Sequence, residues 1–334
     1  MDDDATAVDD ELMTLALEAG EAVRTSSAPN PWVGAALLTA DGRRVVGATE
    51  PPGGAHAEVV VLRRAGAGGL DARGATLATT LEPCSHDGRT GPCTTAIVEA
   101  GVARVVVGVQ DPDAHVDGSG IDALRAAGVE VTVGTAADRC TEQLAAYLHH
   151  RRTGRPYVIV KTAATLDGRT ADPDKRSRWI TSEEARADTH VLRAQSQAIL
   201  VGSGTVRADD PELTVRLVEG PDPRRIVLGS APRDAKVRPC LEWRGELPEL
   251  LDSLGADGVL QLMVEGGAST AAQFQAEGLV DRFVVYLAPA LFGGDDARPM
   301  FVGLGATSME ELPRGRFADI RRIGPDVRID LVLD

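Results

Sequence analysis

His56-Ala57-Glu58 and the run from Pro83 to Cys93, "PCSHDGRTGPC", hold the residue types best suited to chemistry in this chain. One imidazole and two thiolates, from His56, Cys84 and Cys93, make a three-ligand set whose softness suits zinc. Each cysteine directly follows a proline, and eight residues separate the two. Structural zinc wants four protein ligands, whereas catalytic zinc leaves one position for water. No fourth ligand stands out, and His86, between the cysteines, fits either role. A disulfide is the competing reading, but in a reducing compartment a close-spaced cysteine pair more often binds metal. Cys140 and Cys240 have no spacing partner and read as ordinary buried or half-buried thiols.

Glu58 gives the set a chemical logic. It is too close to His56 for a comfortable co-ligand on one helical turn, yet it can lean over an open fourth position. An imidazole and two thiolates nearly neutralise the charge of zinc, so the metal acidifies its water less than a three-histidine site does. A carboxylate that takes the proton is then valuable, and it can pass protons to a ring nitrogen and a leaving ammonia. The order matches the H-x-E then P-C-x-x-C arrangement of zinc deaminases, with eight residues between the cysteines in place of two.

At 334 residues the chain is long for one core and comfortable for two. Aromatic residues make up only 3%, so Val, Leu, Ala and Ile must fill the cores. "DDELMTLALEAGEAVR" spaces Leu12, Leu15, Ala16, Ala19 and Val23 as an amphipathic helix. "VGAALLTADGRRVVGAT" reads as two strands hinged on Asp41-Gly42. "HAEVVVLRRAG" should be a helix stopped by Gly66, and "ATLATTLEP" a strand running up to Pro83. Alternating helices and strands follow to "VEVTVG", which predicts an α/β layer fold. The helix-like "DRCTEQLAAYLHHRRTGRP" leads to a boundary that divides the chain into 1–150 and 151–334. A second α/β unit then runs from "YVIVKTAAT" through "AILVGS", "RRIVLGS" and "VLQLMVEGG" to "DRFVVYLAP".

Charge narrows the partners. Residues 1–150 carry 22 acidic and 10 basic side chains, a net of −12, against 28 and 25 in the remainder, a net of −3. Nucleic-acid binders need clustered Lys and Arg, so a nucleic-acid-editing deaminase is disfavoured. A small anionic ligand is compatible, since one well-placed Arg holds a phosphate. No run of about 18 apolar residues exists to span a membrane. The acidic start lacks the features of a secretory signal, so a cytoplasmic enzyme, of a kind often dimeric or tetrameric, is expected.

In the second half, "VGSGTVRADDPELTVR" closes a strand with glycines and then exposes a dense polar loop, and "VEGGAST" closes another at a helix start. Free backbone N–H groups there suit a dinucleotide pyrophosphate. Neither stretch fits G-x-G-x-x-G, so a Rossmann domain is not supported.

"PNPWVGAALL", "HAEVVVL", "TLEPCSHDGRTGPC" and "VQDPDAHVDGSGIDALRAAGVEV" resemble the deaminase half of the bifunctional riboflavin-biosynthesis deaminase/reductases, whose mark is the long insertion between the cysteines. "VKTAATLDGRTA", "SRWITSEEAR", "LRAQSQAILVGSGTVRADDPELTVR" and "VEGGAST" resemble the reductase half. The resemblance implies a cytidine-deaminase-like three-layer α/β/α domain followed by a dihydrofolate-reductase-like α/β domain. It implies that His56, Cys84 and Cys93 bind one zinc and that Glu58 shuttles protons. The implied substrate is a diamino-ribosylamino-pyrimidinone 5′-phosphate, met by Asn30, His86, Arg89 and Asp111. Arg89 also has a physical reason, because a phosphate monoester entering an acidic domain needs a local cation.

For the second half the resemblance implies hydride transfer from NADPH to ribose C1′, opening the sugar to a ribityl chain. Ser177, Arg193, Asp209, Leu213, Arg216 and Glu265 would meet the substrate. Ala163, Trp179, Thr205, Asp209, Ser230 and the turn Gly267, Ala268, Ser269 and Thr270 would meet the cofactor. Arg193 and Arg216 are expected as phosphate clamps, Asp209 and Glu265 as orienters of ribose hydroxyls or proton carriers, and Lys161 as a further possible acid. Two positions depart from the family: Thr49 stands where a substrate-touching His is common, and Asp113 replaces the amide of "DPN". They motivate an alternative in which the enzyme serves a related pyrimidine in a specialised pathway.

Overall fold

The computed structural model describes residues 2–86, 91–174, 179–303 and 305–333. Arg89 and Ser177 lie outside the described residues. The chain divides into two compact units, Met1–Gly154 and Arg155–Asp334.

In the first unit, β1 (Gly34–Leu38), β2 (Arg44–Ala48), β3 (Thr76–Leu81), β4 (Arg104–Val109) and β5 (Glu130–Val133) form one sheet in the order β2-β1-β3-β4-β5. β1 runs antiparallel to both neighbours, and β3, β4 and β5 are parallel. Ala36, Ala78 and Val106 stand in register across three strands and form one apolar face. Helix α1 (Asp2–Ala22) covers it with Leu12, Met13, Ala16 and Leu17. Small residues let that helix lie close: a Cβ on Gly34 would fall 1.7 Å from the Ala16 carbonyl oxygen. Gly47 pairs one step along from Gly34 and so points the other way, where a Cβ would meet Val61 of α2 (Ala57–Ala67). The sheet is therefore sandwiched, and α2 is the layer that brings His56 and Glu58 to the end of β3.

The second unit has an eight-stranded sheet ordered β10-β9-β8-β11-β6-β12-β15-β14. From β10 (Leu241–Trp243) through β9 (Arg224–Leu228), β8 (Ala198–Gly202), β11 (Gln261–Val264) and β6 (Tyr157–Thr165) to β12 (Arg282–Ala288), neighbours are parallel. Such strands are buried on both faces, which explains their near-continuous Val, Ile and Leu. Val158, Val160, Leu200, Leu262 and Val264 pack with Leu250, Leu254 and Phe274 from α9 (Leu247–Ala256) and α10 (Ala268–Ala276). Ser182 caps α7 (Glu183–Gln195) by accepting from the Ala185 N–H at 3.2 Å. Because β8, β9 and β11 run the same way, their C-terminal ends open on one edge, the usual place for a ligand in such sheets.

The structure corrects several sequence expectations. Helix α2 continues through Gly66 to Ala67 and closes at Gly68. The single helix expected near 140–150 is two, α5 (Ala137–Gln143) and α6 (Ala145–Thr153), broken at Leu144. The expected polar loop begins with a helix, α8 (Ser203–Asp209), ended by Asp210 at φ +41°. Helix α9 and the antiparallel hairpin of β14 (Gly315–Ile323) and β15 (Asp326–Leu333) add to the elements read from sequence. The hairpin escapes a hydrophobicity reading because the inward positions of β15 are Asp326, Arg328 and Asp330. Arg328 pairs there with Asp330 at 2.7 Å and with Asp188 at 2.8 Å. Among the described residues no helix is long and apolar enough to cross a membrane.

Candidate functional site

In the first unit two helix starts and one strand exit converge. His56 is the N-cap of α2 in extended backbone, and Glu58 lies in its first turn. Cys93 opens α3 (Cys93–Glu99), whose N-cap is Pro92, and Cys84 follows β3 by three residues. His56 Nδ1 lies 3.5 Å from Cys84 Sγ and 3.3 Å from Cys93 Sγ. The Cys93 N–H donates to Cys84 Sγ over 3.4 Å. All three ligand atoms fall within 4.8 Å of one another, and all four cysteines are free.

The electrostatics favour a charged sulfur. The hydrogen bond from Cys93, against burial and aided by His56, holds the Cys84 thiol down to about 4. That bond and burial push the Cys93 thiol the other way. The hydrogen bond with Cys84 raises the His56 imidazole against its own burial. Glu58 is 3% exposed, and burial pushes its carboxyl up to about 7 although His56 opposes the shift.

These groups open on a cavity of about 360 Å³ whose walls include Asn30, Thr49, His86, Asp111, Asp113 and Arg151. His86 is exposed and stands apart from the three-ligand cluster, so of its two readings the wall is the one observed. Asp111 accepts from the Tyr147 hydroxyl at 3.0 Å and from the Asp113 N–H at 2.9 Å. Burial raises its carboxyl, with those two bonds opposing. Arg151 Nε lies 3.3 Å from Asp113 Oδ2, and its guanidinium sits 5.0 Å over the Tyr147 ring. Thr49 is buried, its N–H bonded to the Val33 carbonyl at 3.0 Å. Glu82, also buried, accepts from the N–H groups of Asp111, Gly118, Gly120 and Ile121 and so fixes the loop carrying Asp111 and Asp113.

In the second unit, Glu265 follows β11 and receives Arg193 of α7 through two bonds of 2.9 Å. Arg193 Nη1 also donates to the Thr214 carbonyl at 3.0 Å. Lys161 Nζ on β6 is 3.7 Å from Glu265 Oε1 and 5.6 Å from the Tyr286 ring centre. Burial works to raise Glu265, but Arg193 and Lys161 outweigh it and hold the carboxyl at about 2. Burial lowers the Lys161 ammonium in spite of Glu265. His190, one turn before Arg193, accepts from the Arg216 N–H at 2.9 Å. Burial, with Arg193 and Arg216 nearby, pushes it down to about 4, so it is neutral at physiological pH. Arg216 is exposed and bonds Glu212 at 2.7 Å, while Leu213 is buried at φ +56°.

A cleft of about 500 Å³ lies at the C-terminal ends of β8 and β9, with Ser269 and Thr270 of α10 in its wall. Thr205 of α8 accepts from the Gly267 N–H at 3.1 Å, joining the two glycine-rich turns. Thr270 fills the space beside Gly202 and Gly266, where added Cβ atoms would come within 2.5 and 2.7 Å. Ala268 begins α10, Asp209 ends α8, Ala163 lies on β6, and Ser230 follows β9. Trp179 is outside the cleft wall and 69% exposed, with the Arg186 guanidinium 4.5 Å over its ring.

Comparison with known proteins separates the same two halves. The cytidine and deoxycytidylate deaminase zinc-binding region matches residues 6–109, and the RibD C-terminal domain matches residues 156–329. The riboflavin biosynthesis protein RibD of Mycobacterium tuberculosis (strain ATCC 25618 / H37Rv) is 42% identical, over 97% of each chain. This chain belongs to the RibD family. RibD of Escherichia coli (strain K12) is 39% identical over 97% of this chain and 99% of its own. The solved Acinetobacter baumannii RibD, form 1, superposes with a TM-score of 0.88 at 35% identity, covering 98% of this chain and 99% of that one. The protein is accordingly a bifunctional deaminase and reductase of riboflavin biosynthesis.

The ligand set of the first unit fits the zinc of a RibD deaminase. Tetrahedral zinc with ordinary bond lengths separates an imidazole nitrogen from a thiolate by about 3.6 Å. The observed separations of 3.5 and 3.3 Å approach that value. Sequence reading missed Glu82, Tyr147, Arg151 and His190. Of these, only His190 carried a local signal, its helical spacing to Arg193. Elemental analysis of the purified chain should find about one zinc per chain, lost in Cys84→Ser and Cys93→Ser; full zinc retention in both variants contradicts the ligand assignment.

Proposed function

We propose that the first unit deaminates 2,5-diamino-6-ribosylamino-4(3H)-pyrimidinone 5′-phosphate and that the second reduces the ribosyl group of the product to ribityl. The observation that carries this reading is the His56, Cys84 and Cys93 cluster, with buried Glu58 in the wall of the same cavity. Zinc, which His56, Cys84 and Cys93 would hold, would supply the Lewis acidity that activates a water at this site. Glu58 accepts the proton that this water sheds as its oxygen adds to the carbon bearing the amino group. It returns the proton to the ring nitrogen, and a second transfer lets the amino group leave as ammonia. Asp111, oriented by Tyr147 and Asp113, takes the hydrogen-bond donors of the pyrimidine. Asn30, His86 and Arg89 are assigned to the remainder of the substrate. The Asp113 carboxylate is offset by Arg151 beside it, so it adds little net charge and favours the family's substrate over a specialised one.

In the second unit a bound NADPH would supply the hydride for ribose C1′, and the protein's part is to position and protonate. Glu265, held ionised, cannot serve as the acid; it orients ribose hydroxyls together with Asp209. Lys161, buried and lowered, is the better donor to the opening ring oxygen. The sequence reading of Arg193 as a phosphate clamp is revised: its guanidinium is committed to Glu265 and Thr214, so Arg193 positions Glu265. The phosphate falls to exposed Arg216, with Leu213 shaping its loop, and Ser177 is assigned to the substrate by resemblance alone. Ala163, Trp179, Thr205, Ser230 and the 267–270 turn are assigned to the dinucleotide. A soluble phosphorylated substrate and NADPH support a cytoplasmic setting.

We further infer a homodimer through β14. This edge strand exposes Phe317 and Ile320 among Arg316, Arg321 and Arg322, and its outer edge has no strand partner among the described residues. Light scattering should give a two-chain mass that falls to one chain in Phe317→Asp; a monomeric parent contradicts the dimer. Glu58→Gln should slow ammonia release by on the order of a hundredfold to ten-thousandfold. That variant should keep its zinc and oxidise NADPH normally on pre-deaminated substrate. Undiminished deamination refutes the shuttle role.

A further inference from the structure

Residues 214–216 end in Arg216, the cation assigned to the substrate phosphate, yet they belong to no strand. Side chains from elsewhere meet their backbone groups. The Thr214 carbonyl accepts from Arg193 Nη1 at 3.0 Å, the Val215 N–H donates to Asp222 Oδ1 at 2.7 Å, and the Arg216 N–H donates to His190 Nδ1 at 2.9 Å. His190 and Arg193 lie one turn apart on α7, so one helix face takes a carbonyl and an amide two residues apart, as a neighbouring strand would. The bond to Arg216 also fixes the His190 tautomer. A ring nitrogen that accepts is unprotonated, so in the neutral imidazole Nε2 carries the hydrogen. Arg193 Nη1, 3.4 Å from Nε2, is a donor too, so those two atoms pack together without a hydrogen bond. His190 is 6% exposed, and burial, Arg193 and Arg216 all disfavour its protonated form. The ring therefore offers one acceptor, and that acceptor is spent on Arg216.

We propose that His190 is a positioning residue of the reductase step, its Nδ1 holding the backbone of Arg216 against α7 and so setting where the guanidinium meets the substrate phosphate. The inference rests on the reading of Arg216 as the phosphate cation. The Arg216 side chain is braced within its own loop, by Glu212 Oε2 at 2.7 Å and Thr214 Oγ1 at 2.6 Å. Its distance from Glu265 is thus set by how the loop backbone is anchored. Arg193, which also bonds Glu265, ties down Thr214, and His190 ties down Arg216 itself. Loss of the His190 acceptor leaves the part-buried Arg216 N–H unpaired and releases the end of the loop that carries the charge.

Steady-state reduction of the deaminated substrate by the full chain at saturating NADPH, with and without the 5′-phosphate, tests the assignment. His190→Leu keeps apolar bulk but removes the acceptor. It should raise KM for the phosphorylated substrate by on the order of tenfold, with kcat and the KM for dephosphorylated substrate within about twofold of the parent. His190→Asn sets an Oδ1 where Nδ1 stood and should restore the parent KM. His190→Gln, whose amide reaches toward the Nε2 side, should not, and this pair carries the comparison if the leucine variant fails to fold. An unmoved KM in His190→Leu, an equal loss for both substrates, or a folded His190→Asn that restores nothing overturns the role of His190. Arg216→Ala tests the reading beneath it. Loss of the preference for phosphate in Arg216→Ala but not in His190→Leu overturns this inference alone, and loss in neither variant overturns both.

Discussion

Three ligand atoms drawn from residues as far apart as His56 and Cys93 must stay within 4.8 Å of one another, and the first unit is arranged around that demand. Rigid elements meet it. β3 delivers the backbone to Pro83, α2 starts at His56, and α3 starts at Cys93. Two helix starts meet at the sulfurs, and their unpaired N–H groups favour negative charge there. The Cys93 N–H, which donates to Cys84, is one of them. Glu58 takes its place from the same α2 turn that presents His56, so the proposed ligand and the proposed proton carrier cannot drift independently.

The second unit solves a different problem with buried charge. Glu265 sits where β11 ends, and an isolated carboxylate there would be costly. Arg193 meets both of its oxygens and Lys161 stands near one, which keeps the carboxylate ionised. His190 stays neutral between Arg193 and the Arg216 backbone, so the cluster gains no third cation. Removing either partner of the Arg193–Glu265 pair takes from a buried charge its principal counter-ion, which costs more than the pair contributes. In each unit a buried group remote in sequence holds one proposed to act on the substrate: Glu82 holds the Asp111 loop, and Arg193 holds Glu265.

What the sequence revealed follows from this division. His56 and Glu58 are adjacent on one turn, and the prolines before Cys84 and Cys93 mark a strand exit and a helix start, so the metal constellation was local enough to read. The central strands, apolar on both faces, were equally legible. Glu82 and the amides it binds lie up to 39 residues apart, and Tyr147 reaches Asp111 across 36, so no spacing signals either contact. Arg193 read as a phosphate clamp because its type suits phosphate; only the fold shows its guanidinium already occupied. The β14–β15 hairpin was hidden by its buried ionic stripe, which inverts the usual alternation. Arg89 and Ser177, assigned by resemblance, lie outside the described residues.

The most direct test is the mass of the product formed when the full chain meets the diaminopyrimidinone ribosyl phosphate, first alone and then with NADPH. Alone, the chain should release ammonia and yield a product in which one amino nitrogen has been exchanged for oxygen. With NADPH the same product should also gain two hydrogens. Two hydrogens gained with the amino nitrogen retained, or no exchange of nitrogen for oxygen in either case, would contradict an account in which the zinc-site unit acts first and the reductase unit second.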